Sequence, residues 1–516
     1  SLAASHKILI YNPKFAHSHS NYLGRLADIL VDAGHNVTSV ISDINPLLKD
    51  GTEKSKIIRI EPCADLVAFN EKSRGHVHNM FTLNPLSFLD CTMMNMIMYI
   101  MSVSQCSHIL EKPGLVDQLL NEKYDVYIYE SFDMCGTGLS HLIKPKSSIM
   151  ASTTILYASE YEDVAVPSSL SINPSAFMAE FNPHSLSSRL LNLYAHFLER
   201  FSFSLARFLI QRIFRQKYGA DFPSYEAISG NVSFVFTNSE PLTGIATPTY
   251  ARVIEIGGLG AREARPLGQE WEKVLSARPR TALVSFGSIC RAIDLEPEEK
   301  RAILKTVSSF PDTTFIWKYE DVEDEFAKNE ASKVPNMHLS KWMPQNDLLH
   351  DDRVALFVTH GGMGSMQETV MHGVPVIVIP VFGDQPRNAA TAVHNGYGKY
   401  FNKKRLSNAN ELTEVVREVM ENPSYRDTVK RLSRMVAEKP FSSKELLLKY
   451  VDFAGKFGPS KALRPVAIDM SFIAYHNIDL IFVLAIVGTV LLYVSARVAF
   501  WLGSFVVRRV VKAKAE

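Results

Sequence analysis

Short apolar runs rich in β-branched and aromatic residues recur along the chain: Lys7–Tyr11, Val37–Ile41, Tyr124–Tyr129, Val232–Thr237, Val253–Ile256, Thr281–Phe286, Phe315–Lys318, Val354–Val358 and Val374–Ile379. They lack polar alternation, the pattern of strands buried on both faces of a parallel sheet. Between the first two, Leu23, Leu26, Ile29 and Leu30 fall at helical spacing, which predicts a helix from about Asn21 to Ala33 with Gly34 as its stop. The preceding stretch, Asn12 to Ser20, reads as a loop holding His17 and His19. Glu411–Glu421 and Tyr425–Ala437 read as further helices. Such strand and helix patterns in both parts of the chain predict an α/β protein of two Rossmann-like halves. Gly257-Gly258-Leu259-Gly260 opens a polar, proline-containing stretch to about Pro279 that fits a linker between them. No G-x-G-x-x-G follows the first strand, which argues against a dinucleotide cofactor.

Three longer segments add to this pattern. Met80–Leu110, rich in Met, Phe and Ile, reads as ordinary core or as a permissive apolar pocket. Leu186–Tyr218 places Leu190, Leu193, Phe197, Phe201 and Leu205 three or four residues apart, flanked by Arg200, Arg207, Arg212 and Arg215. That is one or two amphipathic helices, either packed with solvated arginines or lying on a membrane. Ile478–Val494 is apolar except for Asp479 and extends to Val507 across Arg497. About 20 apolar residues span a bilayer. Arg508, Arg509, Lys512 and Lys514 follow, so the positive-inside rule places the tail in the cytosol.

At 516 residues the chain is too long for a single core. Lys and Arg number 55 against 54 Asp and Glu, a net charge of +1, so no global basic field favours nucleic acid. The five cysteines are scattered without a C-x-x-C, and neither a zinc site nor a disulfide scaffold is expected. No charged-then-apolar leader precedes the first strand; any signal peptide is expected to be already removed. Asn36-Val37-Thr38 and Asn231-Val232-Ser233 are glycosylation sequons. Asn36 leads into a strand, where burial is expected, so Asn231 is the better acceptor.

The densest chemistry lies between Phe357 and Asn388. A buried strand ends at Thr359-His360-Gly361-Gly362, where glycines allow a tight turn and close approach of a ligand. A helix is expected to start at Ser365, with Glu368 three residues on and Gly373 as its stop. A helix N-terminus after such a turn is a natural seat for a diphosphate. Ser365-Met366-Gln367-Glu368 is equally a capping box, and His360 equally a core histidine. The residues alone leave both readings open. Gly383-Asp384-Gln385-Pro386 adds a carboxylate and an amide suited to hydroxyl recognition.

This stretch resembles the signature of the UDP-glycosyltransferases, the glucuronosyltransferase family of membrane-bound detoxification enzymes, and its invertebrate members above all. Trp342-Met343-Pro344-Gln345 is similar to the family's uracil-binding segment, and Ser285-Phe286-Gly287-Ser288 to its phosphate loop. The resemblance runs from about residue 7 to the C-terminus. It implies a GT-B fold: an acceptor-binding domain (1–257) and a UDP-sugar-binding domain (258–455) facing a cleft. A juxtamembrane segment (456–477), a transmembrane region (478–507) and a basic cytosolic tail (508–516) would follow. The implied reaction is inverting, metal-independent transfer of glucose or glucuronate from a UDP-sugar to a hydroxyl of a small lipophilic acceptor, with no other cofactor. The implied donor site comprises Ser288, Trp342 against uracil, Gln345 at its edge, His360, Gly362, Ser365, Glu368 on ribose, and Asp384 with Gln385 on the sugar. Gly364 stands where the family often has a phosphate-contacting asparagine, so a backbone N–H or Ser365 must replace it. Arg387 is the one nearby cation that a glucuronate carboxylate could use.

The family's base matches His19, with His17 as the nearest alternative. Its carboxylate partner, an aspartate in the family, falls at Glu130, with Asp133 as a rival. A single-pass type I protein of the endoplasmic reticulum membrane is implied, its catalytic part lumenal, and Lys512 and Lys514 resemble a dilysine retrieval signal. Homo- or hetero-oligomers belong to the same expectation. Alternatives are a lipid glycosyltransferase acting on ceramide or sterols, and a non-catalytic UDP-sugar-binding partner of active relatives.

Overall fold

The computed structural model describes residues 5–73, 79–260 and 263–515; residues 1–4, 261 and 262 of the expected N-terminus and linker lie outside the described residues. The chain forms two compact units, Ser1–Arg464 and Pro465–Glu516.

The first unit contains two parallel sheets. One is built from β1 (Lys7–Pro13), β2 (Asn36–Ser42), β3 (Lys56–Ile60), β4 (Val126–Glu130), β5 (Ser147–Ser152), β6 (Phe234–Thr237) and β7 (Val253–Glu255), in the order β3-β2-β1-β4-β5-β6-β7. The other is built from β8 (Arg280–Ser285), β9 (Thr313–Lys318), β10 (Met337–Ser340), β11 (Val354–Thr359), β12 (Val376–Val378) and β13 (Gly398–Tyr400), in the order β10-β9-β8-β11-β12-β13. Both are doubly wound, and in each the order reverses beside the first strand, between β1 and β4 and between β8 and β11. Ligands of open α/β sheets lie beyond the carboxyl ends of strands at such a reversal. β4 and β11 are buried along their whole length, as their unbroken apolar sequences require.

Eight helices matter here: α1 (His17–Asp32), α2 (Phe88–Glu111), α3 (Cys135–Ile143), α4 (Leu186–Tyr218), α5 (Met363–His372), α6 (Gln385–His394), α7 (Ser443–Phe457) and α8 (Ile478–Ala515). α1 begins four residues earlier than the apolar periodicity suggests, so His17 and His19 lie in its first turn rather than in a loop. Polar side chains carry no periodicity signal, yet a helix N-terminus needs none. α1 ends as expected, with Gly34 at φ +90° just past its C-cap.

α4 is one helix with two apolar faces: Leu190, Leu193, Phe197 and Phe201 of the predicted stripe are exposed, while a second face bearing Leu198, Phe203, Ile210 and Phe214 is buried together with Asn192, Glu199 and Arg207. Glu199 accepts backbone N–H bonds from Ala158 and Ala176, and Arg207 pairs with Asp163 at 2.8 Å, so this arginine is not solvated. These polar groups are buried because each has a partner. The expected linker contains a short helix, Gln269–Leu275. α7 turns Leu447, Val451 and Ala454 onto the underside of the first sheet, against Ile8, Ile10, Val126 and Ile128. Asn36 is exposed, not buried, as is Asn231, whose side chain bonds the Ala227 carbonyl and Arg464.

Cys106 of α2 and Cys135, the first residue of α3, form a disulfide. The scattered cysteines gave no spacing signal for it, because the pairing is made by the fold laying α2 beside the end of β4. In the second unit α8 is continuous through Arg497, and it is long and apolar enough to cross a membrane.

Candidate active site

Two groups of side chains meet at the carboxyl ends of the two sheets. The first belongs to the N-terminal half and flanks the β1/β4 reversal. His19, in the first turn of α1, places Nδ1 3.3 Å from Glu130 Oε2 at the end of β4. Thr153, just past β5, lies between them: its Oγ1 is 2.6 Å from His19 Nδ1 and donates to Glu130 Oε1 at 3.4 Å. Glu130 is 1% exposed and His19 14%. In the tautomer whose Nδ1 donates to this pair, the ring's lone pair sits on Nε2. The rings of Phe15 and Phe132 pack on His19, at 4.3 and 6.1 Å between centroids.

Asp133 is directed elsewhere. It accepts from Tyr11 Oη at 2.7 Å and from the Cys135 backbone N–H at 3.2 Å, and burial pushes its carboxyl up to about 6. His17 also points away from this cluster. Its ring meets Trp342 of the other half edge to face, 6.5 Å between centroids. Thr153 was not singled out from the sequence. The rule that draws attention to Glu130, a polar residue at the carboxyl end of a buried strand, applies to it equally.

The second group flanks the β8/β11 reversal. His360 follows β11, with its ring between two glycines. A Cβ on Gly287 would come within 2.6 Å of Nε2, and one on Gly362 within 2.8 Å. Gly287 and Gly361 have φ +84° and +86°, a region few other residues enter without strain. Burial, and secondarily Lys318, pushes His360 down to about 4, so it is a neutral hydrogen-bonding group, not a cation. α5 starts at Met363 with Gly362 as N-cap and no side-chain cap, so Ser365 lies inside the first turn and the expected capping box is absent. Its first N–H groups and positive dipole end remain for an anion. Beside Gly364 no atom lies within 4 Å of where a side chain would start. Ser288 is exposed on the loop after β8.

Trp342 is 64% exposed, unusual for an indole. Gln345 Nε2 donates to Ser365 Oγ at 3.0 Å and to Glu368 Oε2 at 2.6 Å, so the residues expected at uracil and ribose are already in one network. Gln385 Oε1 accepts from the backbone N–H groups of Val381 and Phe382, which leaves its amide as the donor end. Asp384 accepts from Asn388 at 2.8 Å, and burial raises its carboxyl while His19 across the cleft acts to lower it. Arg387 reaches the N-terminal half: Nη1 donates to the Pro174 carbonyl at 2.6 Å and its backbone N–H to Ala176. Among the described residues, no group of three or more His, Cys, Asp or Glu could hold a metal ion.

Two doubly wound parallel sheets, one ending in a histidine–carboxylate cluster and the other in a glycine turn at a helix start, make up a GT-B fold. A family model described as "UDP-glucoronosyl and UDP-glucosyl transferase" matches residues 6–515, and the chain belongs to that family. It is 28% identical to the putative UDP-glucuronosyltransferase ugt-48 of Caenorhabditis elegans, covering 96% of this chain and 95% of that one. It is also 25% identical to human 2-hydroxyacylsphingosine 1-beta-galactosyltransferase, over 99% of this chain and 90% of the relative. Of solved structures, the fold matches a kitacinnamycin glycotransferase (TM-score 0.57, 18% identity, 88% of this chain and 100% of that one). It also matches Phytolacca americana UGT2 complexed with UDP-2fluoro-glucose and pterostilbene (TM-score 0.56, 16% identity, 88% and 100%). The chain is thus a glycosyltransferase whose co-substrate is a UDP-sugar, and its C-terminal helix fits membrane anchoring.

Proposed function

We propose that this enzyme transfers a hexosyl group, with inversion, from a UDP-sugar to a hydroxyl of a small lipophilic acceptor. The observation that carries the reading is the His19–Thr153–Glu130 cluster, placed across the cleft from Asp384. His19 Nε2 takes the acceptor proton as its oxygen bonds the anomeric carbon and the bond to the diphosphate breaks. Glu130 stabilises the imidazolium that results. The backbone N–H groups at the start of α5, with His360 and Ser365, meet the charge that grows on the departing UDP. Trp342, Gln345 and Glu368 hold the uridine; Asp384 and Gln385 hold the sugar hydroxyls. No step calls on a metal.

The domain assignment follows: 1–257 for the acceptor and 258–455 for the donor, with α7 of the second segment bracing the first sheet. We place the catalytic part in the lumen of the endoplasmic reticulum. The Cys106–Cys135 disulfide suits an oxidising compartment, and the basic residues after the apolar run suit the cytosol. The half-buried rings of Phe15 and Phe132 against His19, backed by the core residues Tyr99 and Phe203, favour a flat, apolar acceptor. The similarity to a sphingolipid galactosyltransferase gives the second reading, a lipid acceptor. Turnover of UDP-glucose with phenols, steroids and a ceramide separates them: transfer to the phenols supports the first reading, transfer to ceramide alone the second, and UDP binding without transfer to any acceptor a non-catalytic role.

A further inference from the structure

His17 has a place in the cleft that the proposed mechanism does not use. It stands two residues before His19 in the first turn of α1. Each helical residue advances about 100°, so the two side chains leave the helix on opposite sides. His19 turns into its own half, to Glu130 and Thr153, and His17 turns toward the other half, to Trp342. Asn21, one turn on, holds the His17 ring with its amide 3.3 Å from Nδ1. The ring is half-buried, and burial, then Lys49, lowers its proton affinity; at neutral pH it presents one donor and one acceptor nitrogen.

Trp342 gives this contact its meaning. An indole left 64% exposed offers an apolar face for stacking, and His17 meets that indole from the acceptor-binding half. A flat base lying on Trp342 would therefore have the ring of His17 beside it.

We propose that His17 is a donor-binding residue: reaching across the cleft from the acceptor-binding half, it forms a side wall of the uridine pocket, its ring set edgewise to Trp342. This rests on the reading of Trp342 as the uracil platform. It assigns to the N-terminal half part of the nucleotide recognition, and to His17 a role other than that of a base. One turn of α1 then carries both the base and a contact to the leaving nucleotide.

The test is calorimetry with free UDP, together with kcat and KM for UDP-glucose, on the full chain and on His17→Ala, His17→Gln, His19→Ala and Trp342→Ala. His17→Ala is expected to weaken UDP binding and raise the donor KM by about three- to tenfold, the scale of one net hydrogen bond or ring contact, with kcat at saturating donor little changed. His17→Gln, which keeps a donor and an acceptor, is expected to recover part of the loss, and it serves in place of His17→Ala should that variant fail to fold. Unchanged UDP affinity in both His17 variants, with Trp342→Ala weakened, overturns the proposal and leaves the donor site standing. Unchanged affinity in Trp342→Ala as well overturns the donor site itself. A kcat loss in His17→Ala as large as that of His19→Ala, at unchanged affinity, overturns the proposal in favour of His17 as a base.

Discussion

Replacing Glu130 by glutamine keeps the volume and a hydrogen-bonding oxygen for Thr153 but removes the charge that faces His19. At 3.3 Å a unit charge pair in a surrounding of effective dielectric near 20 attracts by about 5 kcal/mol. His19 is partly reached by water, so roughly half of that, about 2.7 kcal/mol, is the realistic loss when the imidazolium forms in the transition state, and it corresponds to about 10²-fold in rate. Glu130→Gln is therefore expected to lower kcat by about 10²-fold, within the range for a disabled general base. Affinity for UDP should stay near wild type, because Glu130 bonds His19 and Thr153 and none of the residues assigned to the nucleotide. Asp133→Asn is the control: its carboxyl serves Tyr11 and the Cys135 backbone, so the expected loss is less than about tenfold. Steady-state turnover at saturating UDP-sugar, with calorimetry for UDP, is the assay. Near-normal turnover in Glu130→Gln, or an equal loss in Asp133→Asn, would refute the partnership.

Three further outcomes are expected. Trp342→Ala should weaken UDP binding by about 1–3 kcal/mol, as the loss of a base-stacking ring does; unchanged calorimetric affinity would show the uracil site misplaced. UDP-glucose should be turned over faster than UDP-glucuronate, because Arg387, the one cation beside Asp384-Gln385 in sequence, is buried and bonds the Pro174 carbonyl of the N-terminal half; parallel kcat/KM values showing the reverse would refute this. Burial pushes the Glu160 carboxyl up to about 8, so the folded state keeps a proton that the unfolded chain gives up. That stabilisation is full below about pH 4 and is lost as pH rises through about 8, at up to roughly 1.4 kcal/mol per pH unit. The thermal midpoint should fall over that window, and Glu160→Gln should flatten the fall; an equal slope in the variant would rule the residue out as its source.

The two-sheet architecture was readable because most inner strands, β4 and β11 above all, are short apolar runs rich in β-branched and aromatic residues, the pattern of strands buried on both faces. The edge strands β3, β10 and β13 and the serine-rich inner strand β5 carry no such signal and were missed. The donor-site expectation rested on the family resemblance of Trp342-Met343-Pro344-Gln345; from the residues alone, His360-Gly361-Gly362 read equally as a ligand turn or as core. What escaped depends on tertiary pairing. The start of α1 was hidden by its polar first turn, and the Cys106–Cys135 bond by its lack of motif spacing. Arg207 and Glu199 look like surface residues until the loops that satisfy them are in place. Thr153 lacks any signal except its position after β5. The stripe on α4 left open which way it faces, because periodicity reports which residues share a face and not whether that face is turned inward.

The central claim is that His19 removes the proton of an acceptor hydroxyl as the sugar leaves UDP. Its most direct test is turnover of UDP-glucose on a phenol of ordinary acidity by wild type and His19→Ala, with UDP affinity measured alongside. Product formation by wild type and a loss of about 10²–10⁴-fold in kcat for His19→Ala, at unchanged UDP affinity, is the expected result. Near-normal turnover in His19→Ala would contradict it.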